Sequence, residues 1–543
     1  MSRRPGVFTD VAVLAALAWA RLGLALRLRK PVNGWRRATG VALRSDASRF
    51  GLSVFGLDLW SDSSNESDAQ AQFVRRLAAF LPGEAVARVA TEPCPHEARA
   101  IPHDWADITL ARFAAGGGGK LDSIRVFLDE RDKLRPDAGL PTASSRHAID
   151  TALVQTYNAT RHLPDEERAA DLIEALQDHF AGQAAAMRYV TRVLRGSFVS
   201  FEEMTEDASS GGAARFVPPD FRMHRHPGTG VLNFVCRLTP DHHAVDVWLQ
   251  IHHAAADGVP MQEMLTRLEK AWGVSGGASG EMTYPTAAEF EPLAVAKECS
   301  TEGHAAPRRI ELVTAFLDFS PLLAWRKELL ARVGPRVAGE IPVTALLLWL
   351  IAGEAELTGT RFGPVAEIPA GETCGREPCF LSIRPADFGV AGWSGATEGA
   401  TALDGLVAYV QAFNEQLQAT RQRRSEIYKG LNTLALLPPG LQRKVLKRHP
   451  DRTRATFGTV GLSIIKDAKI FIAPMSDIGF DDGFIAVGSV NLPTAAGGRV
   501  GCVSIKGPTG TTMRLLGALR RGLRGLPAAN VVETPVPETA AAG

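Results

Sequence analysis

The chain has 543 residues, 45% of them hydrophobic, and 60 lysines and arginines against 59 aspartates and glutamates leave a net charge of +1. That length exceeds what one hydrophobic core usually fills, so two domains of about 250 residues are expected. The balanced charge argues against a nucleic-acid partner, which needs a concentrated basic field. The six cysteines, Cys94, Cys236, Cys299, Cys374, Cys379 and Cys502, are too widely spaced for a disulfide scaffold and fit a reducing cytoplasm.

Residues 1–45 read as an N-terminal amphipathic extension. The run FTDVAVLAALAWARLGLALRLRK is broken by Asp10 and Arg21 and has no small-residue cleavage site. It also falls short of an uninterrupted span of about 20 apolar residues. With Arg27, Arg29, Lys30, Arg36 and Arg37 beside it, one reading lays this helix on the inner face of an anionic membrane. The other packs it on the first domain of a cytoplasmic protein.

Residues 46–285 read as a mixed α/β first domain. It is broken at Gly116–Gly119 and turn-rich from Arg135 to Ser145. Helical spacing from Pro164 to Arg195 predicts one long helix or two abutting ones, closed by SSGG at 209–212. VLNFVCRL and AVDVWLQI read as buried strands joined through Thr239, Pro240 and Asp241. The segment HHAAADG follows at 252–258, then VPMQEMLTRLEKAW, whose apolar residues recur at intervals of three and four as a helix requires.

The stretch 286–307 lacks a sustained period and reads as a crossover linker. A second domain, 308–526, begins with a strand in RIELVTAFLDFS and continues with helices in LLAWRKELLARVG and PVTALLLWLIAGEAEL. Near its end, CVSIKGPTGTTMRLLGALRRGL repeats the order of VWLQIHHAAADGVPMQEMLTRL: strand, glycine-containing turn, striped helix. Aligning Gly258 with Gly510 brings Met261 onto Met513, makes the second turn two residues shorter and leaves it without histidine. This suggests a duplicated architecture. In the late helix Arg514, Arg520, Arg521 and Arg524 are expected to face water or a lobe partner. Residues 527–543 read as a flexible tail.

HHAAADG sets two imidazoles and a carboxylate at a strand exit, which suits a histidine base on a rigid edge. Histidine titrates near neutrality and is the residue type for that task. A metal site is a weaker reading, because strand alternation cannot turn His242, His243, His252 and His253 toward one ion. H-E-x-x-H is absent, His224 and His226 suggest packing or surface roles, and CGREPC at 374–379 has no second cysteine pair.

With its strand-to-helix context, HHAAADG matches the HHxxxDG motif, and the chain resembles the chloramphenicol-acetyltransferase-like, coenzyme-A-dependent acyltransferase superfamily. Its midchain position resembles the two-lobed condensation-domain and plant-type members. RATFGTVGLSII and AKIFIAPMSDIGFDDGFIAVGSV look like sheet segments of the 2-oxoacid dehydrogenase acyltransferase cores. DFGVAGW at 387–393 is similar to the plant-type DFGWG, with Val390 and Ala391 inserted.

The resemblance implies an α/β fold of two lobes forming a pseudodimer, each lobe a mixed sheet packed by helices, in a chain expected to be monomeric. It implies His253 as general base, His252 as an orienting or substrate-contacting residue, Asp257 as a structural carboxylate and Gly258 as the close passage into the helix. Ser463, or Thr459 nearby, would donate to the oxyanion. No permanently bound cofactor is expected, and acyl-coenzyme A or acyl-phosphopantetheine would be cosubstrate, the latter bringing a carrier protein as partner. The acceptor would be a small molecule or a lipid offering a hydroxyl, amine or thiol. The competing expectations are an inactive binding or assembly module and a thioester hydrolase.

Overall fold

A computed structural model of the chain describes Ala18 and residues 49–59, 66–80, 108–113, 121–124, 197–202, 213–219, 232–252, 258–274, 282–286, 293–299, 308–337, 340–354, 357, 360, 362–369, 376–380, 385–388, 400–422, 424, 458–472 and 482–526. The expectations for the rest of 1–45, for 116–119, 135–145, 164–195, 209–212 and 527–543, and for His224, His226 and Cys374, lie outside the described residues.

The first half supplies β1 (Arg49–Asp58), α1 (Glu66–Phe80), β2 (Ile108–Phe113), β3 (Leu121–Ile124), β4 (Ser197–Glu202), β5 (Leu232–Leu238), β6 (Ala244–His252) and α2 (Gly258–Trp272). The second supplies β7 (Leu293–Cys299), β8 (Arg308–Leu317), α3 (Ser320–Val333), α4 (Val343–Ala352), β9 (Phe362–Pro369), β10 (Arg376–Phe380) and α5 (Ala400–Arg421). It closes with β11 (Val460–Ile464), β12 (Phe471–Ile472), β13 (Gly483–Val487), β14 (Leu492–Pro493), β15 (Arg499–Pro508) and α6 (Thr511–Arg524). The edge strand β7 falls inside the stretch read as linker. It pairs with β8 from Leu293 opposite Thr314 to Cys299 opposite Arg308.

Local chemistry explains several of these boundaries. Between β5 and β6, the Asp241 carboxylate accepts from the His243 N–H at 3.1 Å, and Thr239 Oγ1 accepts from the Ala244 N–H at 3.0 Å, closing the turn. At the start of α3, Asp318 accepts from the Ser320 N–H at 2.8 Å and Pro321 occupies the first turn, where a missing N–H costs nothing.

Two mixed sheets result, each packed by helices. One runs β12, β1, β6, β5, β4, β2, β3; the other runs β7, β8, β15, β13, β11, β9, β10, with β14 added beside β15. Read from those ends, every neighbouring pair in one sheet has the same direction as its counterpart in the other: three antiparallel, two parallel, one antiparallel. The helices follow suit, α1 and α3 coming after the second strand in each order, and α2 and α6 after the third.

Burial fixes the register of this repeat and corrects the alignment expected from the letters. Trp248 and Cys502 lie in one cluster between the sheets. The same spacing relates buried Met261 to Leu515, Met264 to Ala518 and Leu265 to Leu519. No residue is therefore gained or lost in the turn, and Gly258 corresponds to Thr512 rather than Gly510. Met513 is 45% exposed whereas Met261 is fully buried. The glycines misled because they do different work: Gly510 caps α6 from outside in a left-handed conformation, φ 84°, while Gly258 is already helical.

The second half's core lies on the helix side of its sheet. Val313 and Ala315 of β8, Leu462 of β11, Ile485 of β13 and Val503 of β15 meet Trp325, Leu347, Phe413 and Leu519. Between the two sheets lies a separate cluster that draws on both halves: Phe55, Phe216, Val235, Trp248 and Tyr284 with Leu312, Phe316, Ile470, Ile472, Val500 and Cys502. No helix among the described residues is long and apolar enough to cross a membrane.

Candidate active site

The strand-to-helix context of HHAAADG is present. β6 ends at His252, paired with Arg49 of β1, and α2 begins at the buried Gly258. His253 and Asp257 lie outside the described residues. The strand is set by its neighbours on both sides, β1 and β5, along nearly its whole length, and the helix by Met261, Met264, Leu265 and Leu268, all buried. The two elements that flank the motif are thus each held by their own packing.

The same strand carries a polar assembly that the sequence did not signal. Asp246 is fully buried and accepts two hydrogen bonds of 2.6 Å from the Arg215 guanidinium and a third of 2.7 Å from the Gly56 N–H. Gly56 sits in the β-bulge of β1, φ 68°, where its N–H is turned out of the ladder, and Asp246 captures it. Arg237, the cross-strand neighbour of Asp246, donates at 3.0 Å to the Val217 carbonyl and so grips the same segment as Arg215. Burial alone would pull the Arg215 pKa down, but the hydrogen bonds and charge of Asp246 more than reverse it.

Cys236 and Cys502 are free, buried thiols. Burial pushes both upward, joined at Cys236 by the negative charge of Asp246 and opposed at Cys502 by a hydrogen bond with Ser504. Neither is a thiolate nucleophile.

On the second sheet, Ser463 lies in β11 and is 8% exposed. Its neighbours Val460 and Leu462 belong to the helix-side core, so Ser463 turns toward the inter-sheet side. There it heads a cross-strand row through Ala486 and Ser504 to Thr314, and Ser504 and Thr314 share a hydrogen bond of 3.2 Å. Thr459 Oγ1 is buried without a hydrogen-bond partner among the described residues. Ser463 thus belongs to one sheet, with Thr459 immediately before its strand, and His252, the first residue of the motif, to the other.

A strap from the second half ties the two together. β12 pairs with β1, Ile472 opposite Gly51 and Phe471 opposite Leu52, and the Ile470 N–H donates to Ser53 Oγ at 3.2 Å. Gln262 of α2 donates to the Asp467 carbonyl at 3.2 Å, and Lys469 faces Glu269 at 3.7 Å. Burial raises the Glu269 pKa above its ordinary 4.5, Lys469 pulls it back and Asp467 adds to the rise. A carboxyl so raised supports the fold while protonated; that contribution is complete below the ordinary value and is lost as pH climbs through the folded one. Glu269→Gln is therefore expected to flatten the fall in stability across the weakly acidic range, read from urea midpoints at stepped pH. An unchanged slope would contradict this.

His242 and His243 sit in the β5–β6 turn, His242 at φ 60°, at the opposite end of β6 from the motif. Cys379 lies on β10, and of DFGVAGW only Asp387 and Phe388 are described, in a short 3-10 turn. Among the described residues no cluster of three or more His, Cys, Asp or Glu is placed to hold a metal ion. Arg521 of α6 pairs with Glu354 of its own half at 2.7 Å.

No protein-family model matches the chain, and no curated protein matches it. Solved structures do. The trichothecene 15-O-acetyltransferase of Fusarium sporotrichioides is 8% identical over 90% of this chain and 94% of its own, with a TM-score of 0.41. The first condensation domain of the CDA synthetase is 12% identical over 94% and 95%, at 0.39. The wax ester synthase/diacylglycerol acyltransferase of Marinobacter aquaeolei VT8 is 12% identical over 89% and 94%, at 0.34. At such TM-scores none of these likenesses decides what the chain does.

Proposed function

We propose that the protein is an acyltransferase of the chloramphenicol-acetyltransferase-like kind, a pseudodimer of two lobes. It would move an acyl group from a coenzyme A or carrier-protein thioester to a hydroxyl, amine or thiol. One observation supports this most: HHAAADG spans the junction of β6 and α2 beside one of two sheets with the same strand order, while Ser463 lies in a strand of the other and Thr459 just before that strand.

In this reading His253 takes the proton from the acceptor as it attacks the thioester carbonyl and returns it to the departing thiolate. His252 orients the segment, Asp257 holds the turn and Gly258 opens the helix. Ser463, or Thr459, donates to the carbonyl oxygen as it becomes negative. Counted in the register that burial fixes, the counterpart of His253 is Gly507 of β15, so in this reading only one half carries the base.

The test is thiol release from short-chain and long-chain acyl-coenzyme A donors, with and without pooled cellular acceptors, the products followed by mass spectrometry. Acylated product from the native chain and a loss of at least about 100-fold in His253→Ala are expected, the scale of a general base. Thiol release without any acylated acceptor would favour a hydrolase, and a folded native chain inert toward every donor would sink the reading.

A further inference from the structure

We propose a second small-molecule site at the far end of α2, one that takes an amphipathic carboxylate: an alkyl or aryl body ending in a single acid group. It does not depend on the acyltransferase reading. Glu269 stands eleven residues beyond Gly258, about 16 Å along the helix axis, so this site is separate from the motif.

A pocket of ≈ 440 Å³ opens there between α2, the strap and β14, a volume within the range of small-molecule sites. Phe55, Met282, Tyr284 and Leu492 form its apolar walls, and Lys469, Lys270 and Glu269 its charged part. Tyr284 stays protonated, because burial pushes its pKa up, helped by the charges of Glu269 and Asp246. The described lining therefore carries two ammonium groups against one carboxylate.

The Lys469–Glu269 distance of 3.7 Å is looser than a tight charge-assisted bond, and the Lys469 side chain keeps 27% of its surface exposed. An ammonium has three protons to give, so Lys469 can serve Glu269 and an incoming carboxylate together. A cationic ligand would meet two like charges. A neutral hydrocarbon would fill the walls but leave the ammonium as it was. One acid group on an apolar body satisfies both parts of the cavity.

Calorimetric titration of the full chain with decanoate, and with decanol as the uncharged comparison, tests this. One decanoate per chain is expected, with decanol at least tenfold weaker. Lys469→Met should weaken decanoate at least tenfold. Because that change also touches the strap, Thr266→Trp serves as a second variant: Thr266 is an exposed helix position lining the pocket whose hydroxyl accepts from Gln262 at 3.3 Å, so tryptophan there should abolish decanoate binding while Thr266→Val, which loses the same hydrogen bond, binds decanoate as the native chain does. His253→Ala should bind decanoate as the native chain does. The proposal is overturned by absent saturable binding, by equal affinities for acid and alcohol, or by a Thr266→Trp chain that binds as before.

Discussion

Replacing Asp246 with alanine is expected to cost about 3–5 kcal/mol of stability, the scale for stranding one charge of a buried pair. Asp246 has no exposed surface and the Arg215 side chain only 15%, so water cannot take over the role of the lost carboxylate. Two donors of Arg215 and the Gly56 N–H lose their acceptor at once, and each buried donor left unmet adds to the loss. Asp246→Asn should recover part of it, since an amide oxygen can still accept from Gly56 although it cannot neutralise the guanidinium. The measurement is chemical denaturation of the three chains side by side. A loss below about 1 kcal/mol for alanine would place the pair with weak surface bridges instead.

Phe316→Ala is the second large effect, expected at about 3–5 kcal/mol for a fully buried aromatic. Phe316 projects from β8 of the second sheet into the inter-sheet cluster, where its ring lies 5.8 Å from that of Phe216 and 6.3 Å from that of Tyr284, both from the first half. Its removal therefore weakens the packing of one half on the other rather than the interior of either. Calorimetry should show it: a single unfolding transition in the native chain, broadened or split in the variant, as coupled domains do when their interface fails. A lower midpoint with one equally sharp transition would mean that the halves stay coupled without this ring.

Those two sites differ in how far the sequence announced them. β5, β6, α2, β8, α3 and α4 were readable because each carries its own apolar period over most of its length, and so was the strand-to-helix repeat ending in β15 and α6. The junction at HHAAADG could be placed for the same reason, its two flanks being unambiguous. Asp246 was not readable: within AVDVWLQI an alternating acid looks like the solvent face of a half-buried strand, and only Arg215, 31 residues earlier, makes its burial tolerable. β7 hid in a stretch of mixed charge because an edge strand needs a partner on one side only, and β8 supplies it. β12 is two residues long, and its partner strand is more than 400 residues away, beyond any local pattern. Ser463 was singled out only by a resemblance, and the row it shares with Ser504 and Thr314 exists only after the sheet forms.

The strand borrowed by the first sheet also governs what happens to that half in isolation. Residues 1–299 emerge from the ribosome well before β12 does, and until then no strand among the described residues pairs with β1 on its outer side at Gly51 and Leu52. An open strand end next to apolar residues is a template for pairing with other chains. Nascent or truncated first halves are therefore the aggregation hazard of this protein, and co-expressing residues 300–543 as a separate fragment should rescue their solubility by delivering the missing strand.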